Sequence, residues 1–159
     1  MGRIVSAIII FVATVSIFAG AGMAAEVSVR IDTDASAVRV ISDGRGGSVI
    51  SADGMNGTSY FELPSIPYRT LSVLLPQGQE VVSFRLEGGV TVELSGSVEL
   101  AEFEGLYLDD GTVKGLSIGM NEATDGGSIF PAWRVRHTGT SNWKGYTVAS
   151  FEVYPVRYD

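Results

Sequence analysis

The segment ASFEVY at positions 149–154 decides the fold class, because apolar and polar residues alternate along it one by one. Ala149, Phe151 and Val153 fall on one side of the alternation, and polar side chains separate them. Successive side chains of a β-strand point to opposite faces of a sheet, so a period of two is typical of a half-buried strand. The segment therefore predicts a strand with one face in a core.

The same period of two recurs along the rest of the chain, at residues 27–32, 82–86, 90–94 and 133–136. Residue pairs suited to turns lie between these stretches, because Gly tolerates positive φ and Asn and Asp close local hydrogen bonds. These pairs are Asp43-Gly44, Asp53-Gly54, Asn56-Gly57, Gly88-Gly89, Asp110-Gly111 and Asp125-Gly126. Short strands joined by polar turns predict an all-β fold, specifically an antiparallel β-sandwich of the jelly-roll-like kind.

The N-terminal residues have the parts of a bacterial-type secretory signal peptide. Arg3 supplies the positive charge, residues 4–18 form an apolar run, and small residues dominate positions 19–25. The run is shorter than the roughly 18 to 20 apolar residues of a membrane-spanning helix. We therefore expect residues 1–24 to be a cleaved signal peptide. Residues 25–159 would then form one β domain that is secreted, or kept in the periplasm or at the cell surface.

The charge of the chain narrows the choice of partners. The sequence has 11 Lys and Arg against 18 Asp and Glu, a net charge of -7. Arg3 is the only charged side chain in the predicted signal, so the mature domain would carry -8. An acidic domain repels phosphate backbones and anionic membranes, so we expect neither as a partner. The absence of Cys excludes disulfides, a thiol nucleophile and thiolate metal sites.

Few residues could carry chemistry, and we expect neither catalysis nor a cofactor. The single histidine, His137, has no Gly-x-Ser-x-Gly elbow and no second histidine beside it, so we interpret it as a structural residue in a turn at a strand end.

Asp32 and Asp34 have the spacing that opens a calcium-binding loop. That loop then needs Gly and Glu where this chain has Ala37 and Asp43, so solvated turns are the favoured interpretation.

Aromatic residues are concentrated in the last third of the chain. Their side chains could belong to a core or to a binding surface. They are Trp133, Trp143, Tyr146, Phe151, Tyr154 and Tyr158. Trp and Tyr pack well on pleated sheets, and core packing is the favoured interpretation. If some of these rings are exposed on one face, the alternative function is a secreted or cell-surface β-sandwich module that binds glycan or calcium.

Two segments resemble patterns of a known family. Residues 63–78, LPSIPYRTLSVLLPQG, contain an early Leu-Pro, a hydrophobic strand and a Pro-x-Gly. Residues 145–159, GYTVASFEVYPVRYD, contain a Gly, an alternating strand and the ending Tyr-Pro-Val-x-Tyr. In this order, behind a signal peptide, they resemble the N-terminal propeptide domain of the gingipain-type cysteine peptidases.

The resemblance implies a β-sandwich that assists the folding of a caspase-like catalytic domain and inhibits it until the propeptide is cleaved away. The partner would be that cysteine peptidase domain, and because this chain lacks Cys, the peptidase would lie beyond residue 159. The chain itself would not be an enzyme. In this family a basic side chain can fill the specificity pocket of a basic-residue-specific peptidase. The candidates are Lys114, Arg134, Arg136 and Lys144, with a solvated strand charge as the alternative for each.

Overall fold

A computed structural model of the chain describes residues 3–8, 10–19, 23–58, 63–76, 79–87, 90–102, 106–107, 113–114, 124 and 129–158. These residues are mostly in β-strands. The strands are β1 (Arg3–Ile8), β2 (Ile10–Ala19), β3 (Met23–Asp32), β4 (Val38–Ser42), β5 (Ser48–Ala52), β6 (Asn56–Gly57), β7 (Pro67–Leu75), β8 (Glu80–Glu87), β9 (Val90–Ser97), β10 (Leu106–Tyr107), β11 (Val113–Lys114), β12 (Val135–Trp143), β13 (Tyr146–Val153) and β14 (Val156–Tyr158). The all-β prediction is confirmed.

The strands of the described part pair in antiparallel sheets. The largest sheet has the order β12-β13-β7-β6, and two three-stranded sheets have the orders β14-β1-β9 and β3-β2-β8. The pairs β4-β5 and β10-β11 complete the set. A parallel bridge joins Ser48 to Leu100 outside these ladders. The antiparallel prediction is confirmed, whereas the jelly-roll-like sandwich stays a prediction.

The segment that we predict to be the signal peptide supplies β1 and β2 in the full chain. Strand β2 lies between β3 and β8, with Ile10 opposite Asp32 at one end of the β3 ladder and Ala19 opposite Met23 at the other. Strand β1 lies between β14 and β9. Removal of the signal, which stays a prediction, would take a shared neighbour from each of these two sheets.

One part of the core lies on the inner face of the four-stranded sheet. Its buried members are Val73, Leu75, Ala149 and Phe151. The partly buried residues packed against them include Val27 and Val29 of β3 and Val81 of β8. Burial of a side chain as large as Phe contributes roughly 1.5–3 kcal/mol relative to exposure. The alternating segment from which the fold was inferred thus provides the buried face of β13.

A second cluster packs around Tyr154, the residue that follows β13. Its buried members are Ile50, Leu63, Ile66, Leu100, Phe130, Tyr154 and Val156. The Tyr68 ring lies 5.8 Å from the ring of Tyr154, and Trp133 and Tyr158 pack at the margin. By strand alternation Tyr154 lies on the face of the sheet opposite to Phe151, so this cluster covers the end of that opposite face near Tyr154.

The turn predictions have mixed outcomes. Gly44 and Gly54 have positive φ, as their Asp-Gly pairs predicted, and the Asp43 carboxylate accepts the N–H groups of Arg45 and Gly47 in the β4–β5 loop. Asn56-Gly57 is not a turn, and that prediction is wrong. Those two residues form β6 because Thr58, directly after them, ties the segment to Ile66 beside β7. The other three pairs lie outside the described residues.

Candidate functional site

The hairpin of β12 and β13 ends in a two-residue turn that presents three side chains to solvent. Lys144 and Gly145 have φ of 48° and 86°, and positive φ at both central residues is what a type I′ hairpin turn requires. Trp143 and Tyr146 are cross-strand partners, so their side chains lie on one face. They are 60% and 51% exposed. The Lys144 ammonium lies 4.9 Å from the Trp143 ring centroid.

The face that carries these two rings continues along the sheet away from the turn, and we call it the outer face. Register places Ser141, Val148 and Leu74 side by side in its next row. The row after that consists of Gly139, Ser150 and Ser72. Leu74, Ser72 and Ser141 are exposed, so three Ser residues, a Gly, Val148 and the exposed Leu74 form a floor next to the aromatic pair.

The outer face has a charged row at its other end. Arg136 is opposite Glu152, and Thr70 is the β7 neighbour of Glu152. The Arg136 guanidinium lies 5.0 Å from the Trp133 ring centroid, and the Tyr154 hydroxyl donates to Glu152 Oε2 over 2.6 Å. The outer face therefore runs from two exposed rings, over a floor of Ser, Gly, Val and Leu residues, to an Arg and a Glu.

The basic residues predicted as inhibitory candidates differ in their surroundings. Lys114 of β11 is opposite Leu106 of β10, and the side chain of Lys114 lies outside the described part. Arg134 is half-buried; this burial lowers its pKa, and the charge of Arg157 lowers it further. Arg136 stacks on Trp133, whereas Lys144 is exposed on the turn at the other end of β12. Lys144 is thus the most openly presented of the three described side chains.

The aspartates suggested for calcium have other partners. Asp32 lies on β3 and pairs with Arg30, whose Nε is 3.1 Å from Asp32 Oδ1. Asp34 accepts the N–H of Ser36, and this hydrogen bond lowers the pKa of the Asp34 carboxyl. Among the described residues, no group of three or more His, Cys, Asp and Glu side chains could hold a metal ion. The calcium hypothesis gains no support from these contacts.

His137 lies within β12 opposite Phe151, not in a turn at a strand end, so that detail of the interpretation is wrong. Its ring centroid is 5.1 Å from that of Phe151 and 6.3 Å from that of Phe84. Its Nε2 is buried and has no hydrogen-bond partner in the described part of the chain. A triad histidine needs a hydrogen bond at each ring nitrogen, so this arrangement gives no support to a catalytic role for His137.

The aromatic residues of the last third divide between core and surface. Phe151 and Tyr154 are buried and Trp133 is half-buried, as core packing predicted. Trp143 and Tyr146 are exposed, which the favoured core interpretation did not predict for them. The difference arises because the core clusters lie beside the middle and the far end of β13, whereas these two rings flank the turn.

No family model matches the chain, and neither a curated protein nor a solved structure matches it. The resemblance to gingipain-type propeptides therefore rests on the sequence motifs alone. The two segments that carry it are neighbours in the fold, because β7 and β13 pair from Arg69 opposite Val153 to Leu75 opposite Thr147.

The sequence patterns did not predict two features of the site. The turn at Lys144-Gly145 has a local signal, since a Gly between two strands in a two-residue connection favours positive φ. Ser72 and Leu74 have no local signal, because their place on the outer face depends on pairing with Ser150 and Val148, which are distant in sequence.

None of the helical segments among the described residues is long and apolar enough to cross a membrane.

Proposed function

We propose that the chain is an exported, non-catalytic propeptide-like domain that assists the folding of a gingipain-type cysteine peptidase and inhibits it. In this proposal the hairpin turn at Lys144 enters the active-site cleft, and residues 1–24 are the export signal. The partner is a peptidase domain that is specific for basic residues. The domain acts on that partner by occlusion and contributes no catalytic group of its own.

The exposed position of Lys144 is the observation that supports this function. Arg134 and Arg136 are half-buried along the sheet, whereas Lys144 stands on a two-residue turn that projects from the end of a strand pair. An ammonium on such a turn can reach a recessed carboxylate. The rings of Trp143 and Tyr146 beside it are large, rigid side chains of the type that anchors protein interfaces.

The conformation of the turn is also consistent with the proposed inhibition without cleavage. The β12–β13 ladder continues up to the pair Trp143 and Tyr146, and it holds Lys144 and Gly145 in the left-handed region. A peptidase that cleaves after a basic residue would have to open this turn into an extended strand. That change would break the hydrogen bonds at the end of the ladder, so the turn would occupy the pocket without being a good substrate.

The experiment is to titrate the purified chain against a Lys-specific gingipain-type catalytic domain and measure the inhibition constant. We expect inhibition at micromolar concentration or below. Lys144→Asn should weaken it about 10- to 100-fold, the equivalent of a hydrogen bond to a charged group. This substitution removes the charge, and Asn-Gly is a favoured sequence for a type I′ turn, so the hairpin should persist.

Arg39→Ala is the matched control, since Arg39 is an exposed basic residue on a different hairpin, where it pairs with Asp53. It should inhibit as the wild-type chain does. Unchanged peptidase activity at micromolar concentration of the wild-type chain would refute the inhibitor proposal. Equal inhibition by wild type and Lys144→Asn would refute the role of the turn.

A further inference from the structure

We propose that the outer face of the β12–β13–β7 sheet is a binding site for a neutral polysaccharide chain. This inference does not depend on the peptidase proposal. It concerns the whole face between the aromatic pair and the charged row, whereas the inhibitory contact needs only the turn.

The aromatic pair offers the first element of saccharide recognition. Trp143 and Tyr146 have solvent-exposed rings, each with an apolar surface and a polar edge. A pyranose ring also has an apolar face made of C–H groups, and it can stack on such a surface. The register of two hydrogen-bonded strands fixes the backbone positions of the pair, and each side chain has only two χ angles, so little conformational entropy would be lost on binding.

The floor offers the second element. Ser141, Ser150 and Ser72 bring three hydroxyl groups to one face, and these hydroxyls form no hydrogen bond within the described part of the chain. Each hydroxyl can donate one hydrogen bond and accept two, which suits a ligand made of hydroxyl groups. Protein interfaces are depleted in Ser, so this floor fits a saccharide better than it fits a second protein.

The dimensions and charge of the face define the class of saccharide. From Tyr146 to Glu152 the strand advances six residues, which is about 20 Å at roughly 3.3 Å per residue. That length suits several sugar units of an extended chain. The chain as a whole has a net charge of -7, which repels polyanions such as alginate or heparin. Arg136 and Glu152 offset each other at the end of the face, so a neutral polymer is the matching ligand.

Affinity electrophoresis of the purified chain in gels that contain hydroxyethyl cellulose, mannan, laminarin or xylan tests the proposal, with alginate as the anionic comparison. We expect retardation by at least one neutral polymer and none by alginate. Trp143→Ala should weaken that binding about tenfold or more, the equivalent of about 1.4 kcal/mol, because a stacking contact is lost. Ser72→Val should also weaken it, and Val is favoured in strands, so the fold should persist.

Ile41→Ala is the matched control, since Ile41 is an exposed hydrophobic residue on β4 rather than on this face. It should bind the polymer as the wild type does. Lys144→Asn should retain saccharide binding even if it loses peptidase inhibition, which separates the two proposals. Failure of all four neutral polymers to retard the chain, or equal retardation of wild type, Trp143→Ala and Ser72→Val, would overturn this inference. Binding to a protein partner alone would overturn it as well.

Discussion

The side chain of Thr58 shows how a single residue fixes the path of the chain beside the main sheet. Thr58 is buried, and its hydroxyl both donates to the carbonyl oxygen of Pro64 and accepts the N–H of Ile66. The Thr58 backbone N–H donates to the carbonyl oxygen of Ile66, and the Ser65 hydroxyl donates to the carbonyl oxygen of Thr58. These bonds hold Ile66 in the cluster around Tyr154 and satisfy polar groups that burial would otherwise leave unpaired.

Replacing Thr58 with Val should lower the free energy of unfolding by about 1–3 kcal/mol. Val has nearly the same shape as Thr but no hydroxyl, so the Ile66 N–H and the Pro64 carbonyl oxygen lose their hydrogen-bond partner. Urea denaturation measures this change. Thr70→Val is the control, since Thr70 is exposed on β7, and its effect should stay within about 0.5 kcal/mol. Equal losses for the two variants would show that the hydroxyl of Thr58 has no special role.

At the scale of the secondary-structure element, the β12–β13 hairpin depends on its turn. The Cβ of an L-residue at position 145 would meet no atom within 4 Å, so space does not demand Gly there. The demand comes from the φ of 86°, which L-residues with a Cβ adopt at a cost. The position of the exposed rings of Trp143 and Tyr146 thus depends on the backbone conformation of Gly145.

Gly145→Ala should destabilise the chain by about 1–2 kcal/mol through backbone strain alone. The expected fall in melting temperature is about 3–8 °C for a domain of this size, measured by calorimetry. Asn tolerates the left-handed region, so Gly145→Asn should cost clearly less than Gly145→Ala. Equal melting temperatures for Gly145→Ala and Gly145→Asn would show that Gly145 does not act by avoiding backbone strain.

At the scale of the whole molecule, β1 and β2 lie within the predicted signal peptide. Cleavage of this signal during export would remove both strands from the sheets that contain them. Strand β2 is the common neighbour of β3 and β8, and β1 is the common neighbour of β9 and β14. By contrast, β13 lies between β12 and β7, and none of these three strands pairs with β1 or β2. The proposed signal cleavage would therefore remove a strand from two sheets and none from the sheet that carries the outer face.

The exported chain should lack residues 1–24 or 1–25, which intact mass measurement would reveal. Hydrogen exchange should then be faster in β3 and β8 of the mature chain than in a full-length chain, because the amides directed toward β2 lose their acceptors. Strand β13 is the internal control and should exchange equally in both. Retention of Met1 in the exported protein would refute the cleavage, and equal exchange in β3 and β8 would refute the dependence on β2.

Local pattern accounts for much of the fold that the sequence predicted. The alternation at 149–154 predicted a strand with a buried face, and Ala149, Phe151 and Val153 form that face. The alternation at 82–86 lies within β8, but Val82 and Phe84 are 54% and 39% exposed, so the buried face predicted there is wrong. The pattern of residues 133–136 was less accurate at its start, because β12 begins at Val135 and Trp133 instead packs against the cluster around Tyr154.

The sequence alone determined the strand class, the acidic charge and the lack of thiol chemistry, because these follow from local alternation and composition. The tertiary structure decided which residues share the outer face. Ser72 and Ser150 are neighbours only through the register of β7 on β13, and that register is set by burial of Val73, Leu75, Ala149 and Phe151 on the opposite face. It also decided that Trp133 is half-buried and Trp143 exposed, since exposure depends on distance from a core assembled by residues far apart in sequence.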